Sequence, residues 1–299
     1  MPGSPAPLVI VNPASRGRRG ASDWPAAASA LRSHFGSFEC RFTEGPGDAA
    51  RIARAEAERG RALLVTFGGD GTISETARGI LESGMPAELG ILPHGTGGDL
   101  VRSLALPTRL ADAAHALRRG SSVVIDVGRV VFAEGREKSF VNSASFGLSA
   151  EVARRVSRRG SGGYIAETLK AASEYRHPEI ELIVDSGPRH RVRITTVSLH
   201  NGRFFGGGMK MAPEARLTDG LLDLVAVRKL SLSKLVCESP LLYLGAHLGL
   251  PEVEHGRVSV VEARSTNPAT EVLVEVDGEV EHRLPARFEI RPRALRIRV

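Results

Sequence analysis

Residues 62–72 read ALLVTFGGDGT, an apolar run of strand length that leads directly into a glycine-rich turn. Apolar residues then recur at helical spacing from Ile73 to Leu81, and Gly84 ends the pattern. A strand, a glycine turn and a helix in this order are typical of a phosphate-binding loop, because glycines let backbone N–H groups approach phosphate oxygens and a helix N-terminus attracts negative charge. The alternative is an ordinary strand–helix turn in which Asp70 caps the helix.

The alternation of strands and helices continues on both sides of this stretch, over residues 1–122. The predicted strands are residues 8–11, 38–42, 62–67 and 89–92, and the predicted helices are residues 26–35, 48–59 and a short segment from Asp99. This order is typical of a mainly parallel sheet covered by helices, which predicts an α/β domain of the Rossmann-like, three-layer kind.

Polar loops follow the other predicted strands. Residues 12–15, NPAS, follow the first strand, Thr43 follows the second, and residues 93–99, PHGTGGD, follow the fourth. Ligands of open α/β sheets bind beyond the carboxyl ends of the strands, so these loops predict one shared site, although each alone could be an ordinary connection. We interpret His94 as an incidental loop histidine rather than a catalytic base.

Strand-like runs dominate from about residue 123. The predicted strands are residues 123–132, 140–146, 180–185, 191–199, 222–227, 258–262, 271–276, 287–290 and 295–299, with helices around residues 150–175 and 231–247. Several of these runs alternate polar and apolar residues as half-buried antiparallel strands do. The pattern predicts a second, β-rich domain whose boundary lies near residues 121–123.

The formal net charge of the 299 residues is +6, which suits nucleotide phosphates, nucleic acid or an acidic membrane face, or else reflects an arginine-rich composition. Nucleic acid is not expected as a partner, because no groove-reading motif or aromatic-interleaved basic patch occurs. Without a secretory signal, a CxxC pair or an apolar run of ~20 residues, the chain is expected to be cytoplasmic. A cluster of arginines follows in the second half of the chain: Arg154, Arg155, Arg158 and Arg159. We predict that it either contacts anionic lipid head groups or forms a solvated charged face.

Short motifs follow one another along the whole chain: NP at residues 12–13, GGDGT at 68–72, PHGT at 93–96, FGL at 146–148, GGGM at 206–209, AP at 212–213, DGLLD at 219–223 and DGE at 277–279. Their order and spacing resemble the diacylglycerol kinase catalytic family, specifically its soluble bacterial lipid kinases, which are related to sphingosine and ceramide kinases. The resemblance covers essentially the whole chain.

The resemblance implies an ATP-binding α/β domain over residues 1–122 and a β-sandwich over residues 123–287, with the site in the cleft between them and the last strand, near residues 288–299, returning to the first domain. It implies transfer of the γ-phosphate of ATP to the hydroxyl of a diacylglycerol-like lipid at a membrane surface. The ATP contacts that it implies are Asn12, Ser15, Thr43, Gly68, Gly69, Asp70, Gly71, Thr72, Glu75 and Thr96.

Residues 277–279 supply two carboxylates around a glycine. Taken alone, Asp277-Gly278 is a strong hairpin signal, and turns also present catalytic groups. In the family, the carboxylate of this motif accepts the proton of the attacking hydroxyl. The resemblance therefore implies Glu279 as the proton acceptor, with Asp277 beside it.

The family also carries a structural Mg²⁺. This implies a ligand set of the Asp219 carboxylate and the backbone carbonyls of Arg216 and Leu221, whose oxygens suit a hard cation. A turn aspartate without metal is the alternative. A separate, catalytic Mg²⁺ is expected to arrive with ATP, near Asp70.

Gly98 stands where the family loop usually has asparagine, so an amide that fixes the loop or holds nucleotide is missing. Two other functions stay open at this point. One is a kinase of a soluble alcohol, since NAD kinases and phosphofructokinases share a GGDG-like turn. The other is a non-catalytic nucleotide-binding sensor at a membrane surface. Whether the protein forms a homodimer is also open.

Overall fold

The computed structural model describes residues 6–119, 121–159 and 164–299. By their contacts these residues form two compact units. The first unit runs to Asp126 and also contains Arg293–Val299, and the second comprises Val127–Pro292.

The first unit is built from alternating strands and helices. They are β1 Leu8–Val11, α1 Ser15–Arg18, α2 Gly20–Phe35, β2 Glu39–Phe42, α3 Asp48–Glu58, β3 Leu63–Gly68, α4 Asp70–Ser83, β4 Glu88–Pro93, α5 Asp99–Ser103, α6 Leu110–Arg119, the start of β5 Ser122–Phe132 and the end of β15 Ala286–Arg298. The strands β2, β1, β3, β4 and β15 are neighbours in this order, and all four pairings are parallel. The loops that follow β1 to β4 therefore gather at one edge of the sheet.

Helices cover both faces of this sheet. Val9 and Val65 share a buried cluster with Ala27 and Leu31 of α2 and with Leu117 of α6. Because side chains alternate across a strand, the opposite face is left for α3 and α4, which pack closely against each other. The predicted three-layer α/β arrangement is confirmed.

The second unit consists mainly of antiparallel strands. Besides the rest of β5 and β15, it contains β6 Glu137–Phe140, β7 Ser143–Gly147, α7 Leu148–Arg159, α8 Tyr164–Glu174, β8 Glu179–Val184, β9 Arg189–His200, β10 Leu222–Arg228, α9 Leu232–Leu244, a 3-10 turn Ala246–Gly249, β11 Val253–Val258, β12 Val260–Ser265, β13 Leu273–Val276 and β14 Glu279–Arg283. One sheet has the order β14-β13-β7-β9-β10-β11, and the other has the order β9-β8-β12-β15-β5-β6.

The two sheets enclose one apolar core. Strand β9 belongs to both, since its first half pairs with β8 and its second half pairs with β7 and β10. Phe146 of β7 and Phe288 of β15 meet between the sheets, with ring centroids 5.5 Å apart and an interplanar angle of 27°. The predicted β-sandwich is confirmed.

Two predicted strands are interrupted, and in both places an aspartate replaces the strand ladder. Residues 140–146 are divided between β6 and β7, because the N–H groups of residues 141–143 donate to the Asp277 carboxylate at 2.9–3.0 Å. Residues 258–262 are divided between β11 and β12, because the N–H groups of Ser259 and Val260 donate to Asp185 Oδ1 at 2.8 Å. A period-two pattern cannot show these breaks, since the acceptors lie far along the chain.

The predicted helices of the second unit also need correction. Residues 150–175 form two helices, α7 and α8, whose connection at residues 160–163 lies outside the described ranges. The helix predicted over residues 231–247 is α9, which ends at Leu244 because Gly245 adopts a left-handed conformation with φ of +75°. Helix α6 and strand β14 were not predicted. Among the helices that the structure describes, none is both long and apolar enough to cross a bilayer.

The packing of α3 on α4 depends on Gly79. A Cβ atom at this position would lie 2.2 Å from the Ala50 carbonyl oxygen, whereas one at Gly71 in the same helix would have no heavy atom within 4 Å. We expect Gly79→Ala to lower the free energy of unfolding by about 1–3 kcal/mol, because the helices must separate. Gly71→Ala is the matched control and should stay within about 1 kcal/mol of wild type. Urea unfolding measures both, and equal effects would contradict the close approach.

Candidate functional site

Asn12 joins the loop after β1 to the beginning of α4. Its backbone N–H donates to the Phe67 carbonyl at 3.0 Å, and its Nδ2 donates to Thr72 Oγ1 at 2.9 Å. Its Oδ1 accepts from the N–H of Ala14 at 2.9 Å. The side chain thus holds two loops of the sheet edge in register.

The glycine turn after β3 touches the glycine loop after β4. A Cβ atom at Gly95 would lie 2.5 Å from Gly69 Cα, and one at Gly97 would lie 2.4 Å from Asp70 Oδ2. A Cβ atom at Gly68 would lie 2.5 Å from Thr72 Oγ1. Gly95 and Gly97 are therefore required by the contact between the loops, and Gly68 by its contact with the beginning of α4, in addition to any approach of phosphate.

Asp70 binds the loop after β4 rather than capping its own helix. Its Oδ2 accepts from the N–H of Gly98 at 2.6 Å, and its Oδ1 accepts from the N–H of Asp99 at 2.9 Å. These N–H groups lie at the start of α5, where donors have no partner within the helix. Asp70 therefore supplies the N-terminal acceptor for a neighbouring helix.

His94 connects three parts of the site edge, which corrects its interpretation as an incidental loop residue. It is buried, its Nδ1 lies 2.7 Å from Ser15 Oγ, and its Nε2 lies 2.9 Å from Asp23 Oδ2. Its ring also stacks on Phe67, with centroids 4.4 Å apart. The hydrogen bond from His94 lowers the pKa of the Asp23 carboxyl. No local pattern signals this role, since both partners lie more than seventy positions away.

Three further residues implied as ATP contacts lie in different surroundings. Glu75 is buried, and its two oxygens accept from the N–H groups of Gly47 at 2.8 Å and Ala49 at 3.1 Å, at the start of α3. Thr43 is buried and donates its N–H to the Val11 carbonyl at 2.9 Å. Thr96 is exposed on the loop after β4. Of the three, only Thr96 is exposed to solvent.

The DGE motif forms the turn of the β13–β14 hairpin. Asp277 and Gly278 both have positive φ, of +48° and +88°, as a two-residue turn of this kind requires. The Asp277 carboxylate accepts three N–H groups from residues 141–143, so the turn is bound to the segment between β6 and β7. The hairpin reading of the motif is confirmed, and Asp277 is its anchor.

Glu279 differs from Asp277 in its contacts, because it pairs with a lysine side chain instead of backbone N–H groups. It begins β14, its side chain is 43% exposed, and its Oε2 accepts from Lys138 Nζ at 2.8 Å. Lys138 is nearly buried and also binds Glu281. Glu279 thus pairs with Lys138 at a partly exposed position, where a second molecule can reach it.

Glu275 is a buried carboxylic acid that the sequence does not mark. It is 3% exposed, it accepts from Ser145 Oγ at 3.0 Å and from the N–H of Gly278, and burial raises its pKa to about 7. Ser145 Oγ in turn accepts a hydrogen bond from Ser149 Oγ at 2.8 Å. Glu275 therefore joins the hairpin turn to β7, the strand that begins at the last residue bound by Asp277.

The oxygen atoms at Asp219 suit a hard cation as ligands. Asp219 Oδ1 accepts from the N–H of Leu221 at 3.1 Å, while Oδ2 is buried and has no hydrogen-bond partner among the described residues. An orphaned carboxylate oxygen of this kind can be satisfied by a cation. The described residues contain no group of three His, Cys, Asp or Glu side chains that could hold a metal, so backbone carbonyls such as those of Arg216 and Leu221 would have to complete the shell.

The predicted arginine face on α7 is occupied in part by ion pairs. Arg154 and Arg155 both bind Glu151 at 2.7 Å, and Arg155 also binds Glu174 at 2.9 Å. The side chains of Arg158 and Arg159 lie outside what the structure describes. The arrangement of the first two favours a solvated charged face over a free anion site.

The backbone at Gly98 can be tested by substitution. Its φ of +70° is left-handed, which asparagine tolerates best among residues with a Cβ, and the nearest atom to an added Cβ is Arg102 Nη1 at 3.9 Å. We expect Gly98→Asn to lower the free energy of unfolding by less than about 1 kcal/mol and Gly98→Val by about 2 kcal/mol or more. Thermal unfolding distinguishes them, and equal losses would contradict the left-handed assignment.

Glu275 should make stability depend on pH. Because its pKa rises from 4.5 to about 7 on folding, the folded state binds this proton more tightly than the unfolded chain does. The wild type should therefore lose stability as pH rises between these two values, whereas Glu275→Gln should not. We expect the variant to gain about 3 kcal/mol relative to wild type across this window.

Urea unfolding at a series of pH values measures this gain. An effect of the new amide that is the same at every pH does not contribute, because the gain is a difference between pH values. Glu254→Gln, at an exposed carboxylate on β11, is the control and should show no such gain. A stability difference between Glu275→Gln and wild type that does not change with pH would contradict the burial of an ionisable Glu275.

Each of the two units matches a known family of domains. Residues 6–130 match the diacylglycerol kinase catalytic domain, and residues 142–299 match the YegS C-terminal NAD kinase beta sandwich-like domain. A diacylglycerol kinase from Mycobacterium tuberculosis is 32% identical over 255 residues, which cover 84% of this chain and 81% of the relative. A diacylglycerol kinase from Bacillus subtilis is 27% identical over 249 residues, covering 81% and 79%.

Solved structures share the fold. The crystal structure of a diacylglycerol kinase from Bacillus anthracis superposes with a TM-score of 0.74 at 20% identity, over 98% of this chain and 96% of that one. Another structure from the same organism reaches a TM-score of 0.80 at 24% identity, over 98% and 94%. The resemblance carried by the motifs is confirmed, and the chain belongs to the diacylglycerol kinase family of phosphotransferases.

Proposed function

We propose that the protein is an ATP-dependent lipid kinase that transfers the γ-phosphate of ATP to the hydroxyl of a diacylglycerol-like lipid. The observation that carries the proposal is the contrast within the DGE motif. Asp277 accepts three backbone N–H groups and so holds the hairpin, whereas the Glu279 side chain is 43% exposed and pairs with the side chain of Lys138. Such a pair suits a site in which one carboxylate positions and the other exchanges a proton.

The nucleotide would bind at the carboxyl edge of the parallel sheet. Its phosphates would lie against the turn after β3 and the N-terminus of α4, where N–H groups attract negative charge. Asn12, Asp70 and Glu75 would act chiefly by holding the loops, since their side chains already bind neighbouring loops. Exposed Gly71 and Thr96 are better placed for direct contact. Thr43 and Ser15 are buried beneath them in the sheet edge.

The transfer step needs alignment, neutralisation of phosphate charge and an acceptor for the hydroxyl proton. The lipid oxygen would form the new bond to the γ-phosphorus, the bond from that phosphorus to the bridging oxygen would break, and ADP would leave. Glu279 would take the proton of the lipid hydroxyl. Mg²⁺ brought with ATP would neutralise phosphate charge, and a second cation at Asp219, Arg216 and Leu221 would stabilise their loop.

Glu279 can be separated from its neighbour by a matched pair of variants. We expect Glu279→Gln to lower kcat for diacylglycerol by about a hundredfold or more, because the proton then has no acceptor. Glu281→Gln is the control, since Glu281 binds the same Lys138 from the same strand. Its kcat should stay within about threefold of wild type. Transfer of labelled phosphate from ATP to dispersed diacylglycerol measures both.

Other outcomes of this assay would point to other functions. Phosphorylation of a soluble alcohol such as NAD, but of no lipid in a broad panel, would replace the lipid acceptor. Binding of ATP without transfer to any acceptor would indicate a nucleotide sensor. Full turnover by Glu279→Gln would reject Glu279 as the proton acceptor without affecting the assignment of the family.

A further inference from the structure

Helix α9 presents apolar side chains to solvent over its whole length. None of its residues is classed as buried, and Leu244 is 72% exposed, Tyr243 56%, Val236 47% and Leu232 40%. Exposed apolar residues are ordinary when they are scattered singly. Four large ones on one helix form a patch of the kind that marks a contact surface.

The spacing places three of these side chains on one stripe, and Leu244 is the last residue of the helix, next to Tyr243. Leu232, Val236 and Tyr243 follow one another by four and seven positions, so they share a face of the helix. Leu235 and Leu242 lie on another face, where they pack against the buried cluster of the second unit. The helix is therefore seated by one apolar face and exposes another, whereas a surface helix ordinarily exposes polar residues there.

Lysines flank this surface, which we name the α9 stripe (Leu232, Val236 and Tyr243, with Leu244 at the end of the helix). Lys229 is exposed just before the helix. Lys210 is exposed at its other end, where the backbone N–H of Lys210 donates to the Leu242 carbonyl at 2.8 Å. Helix α8 packs against α9 and exposes Leu169 and Lys170. An apolar stripe flanked by cations is typical of a helix that lies in the interface of an anionic bilayer.

The acidic residues near the stripe offset only part of the flanking positive charge. Glu238 and Glu252 share Lys234, at 3.6 and 2.5 Å, which leaves one net negative charge against the three flanking lysines. The net charge of the whole chain, +6, also favours an anionic surface. A second copy of the chain is a poorer occupant, because a symmetric contact through this stripe would bring the flanking lysines of the two copies together.

We propose that the α9 stripe, together with Leu169, docks the protein on an anionic lipid bilayer. The apolar side chains would enter the boundary between head groups and acyl chains, and Lys170, Lys210 and Lys229 would contact lipid phosphates. This inference rests on the proposed function in one respect, since a lipid acceptor is presented at such a surface. It adds to that function the element by which the enzyme reaches its substrate.

The test is sedimentation of the full chain with vesicles of phosphatidylglycerol and phosphatidylcholine. The double variant Tyr243→Ser, Leu244→Ser should bind these vesicles at least about tenfold more weakly, because two exposed apolar anchors are lost. Met85→Ser is the matched control, since Met85 is 42% exposed in the first unit, and it should bind as wild type does. Binding should also weaken with added salt and on vesicles of phosphatidylcholine alone.

Failure of the docking surface and failure of the kinase activity give different results. Unchanged vesicle binding by the double variant would overturn the docking proposal, whether or not the protein phosphorylates lipid. If the protein phosphorylates no lipid but its vesicle binding depends on the stripe, the proposed kinase activity is rejected and the proposed docking surface is retained. A loss of self-association in the double variant, with vesicle binding unchanged, would assign the stripe to a second copy instead.

A second variant tests the docking proposal by a signal that appears on vesicle binding, so the test does not depend on a loss of binding. Leu244→Trp adds an indole at the most exposed position of the stripe. Its emission should shift to shorter wavelength when anionic vesicles are added, because the ring enters a less polar medium. An emission spectrum that does not change under conditions in which the protein sediments with vesicles would overturn the proposed orientation.

Discussion

Backbone N–H groups that leave a helix or a strand ladder need an acceptor, and an unpaired buried one costs about 1–3 kcal/mol. In this protein, side-chain carboxylates repeatedly supply that acceptor. Each of them joins segments that are distant along the chain: Asp70 binds residues 98–99, Glu75 binds residues 47 and 49, Asp277 binds residues 141–143, and Asp185 binds residues 259–260. The loops at both candidate sites are arranged by these contacts.

This constraint divides the acidic residues by task. Asp70 and Asp277 lie in the motifs that identify the family, yet the oxygens of each are occupied by backbone donors. Such carboxylates fix geometry and are poorly placed to move a proton. Glu279, two positions after Asp277, pairs with Lys138 and keeps a side chain that is 43% exposed. A rigid frame with one accessible carboxylate is what an enzyme needs when its task is mainly alignment.

Local patterns predict the parallel sheet, the sandwich class and the loops at the sheet edge, because apolar runs and glycine turns are read within a few residues. Helix α6 also carries a local signal, because its alanines favour helix and its apolar residues recur at helical spacing, so it could have been predicted. Contacts with residues far along the chain leave no local signal in the sequence. The contacts of His94, the interruption of the strand at residues 140–146 and the burial of Glu275 all depend on such partners. Sequence therefore indicates which loops matter better than what each side chain in them contacts.

The return of Arg293–Val299 to the first unit has a consequence for the order of synthesis. Strand β15 pairs with β4, so the sheet that carries the glycine loops lacks a strand until residues 293–299 leave the ribosome. The second unit is in effect inserted into the first, and all of its strands but part of β15 are synthesised earlier. The sandwich also needs β15, which lies between β12 and β5, so both units wait for the same strand. Residues 6–126 made alone would expose the edge of β4.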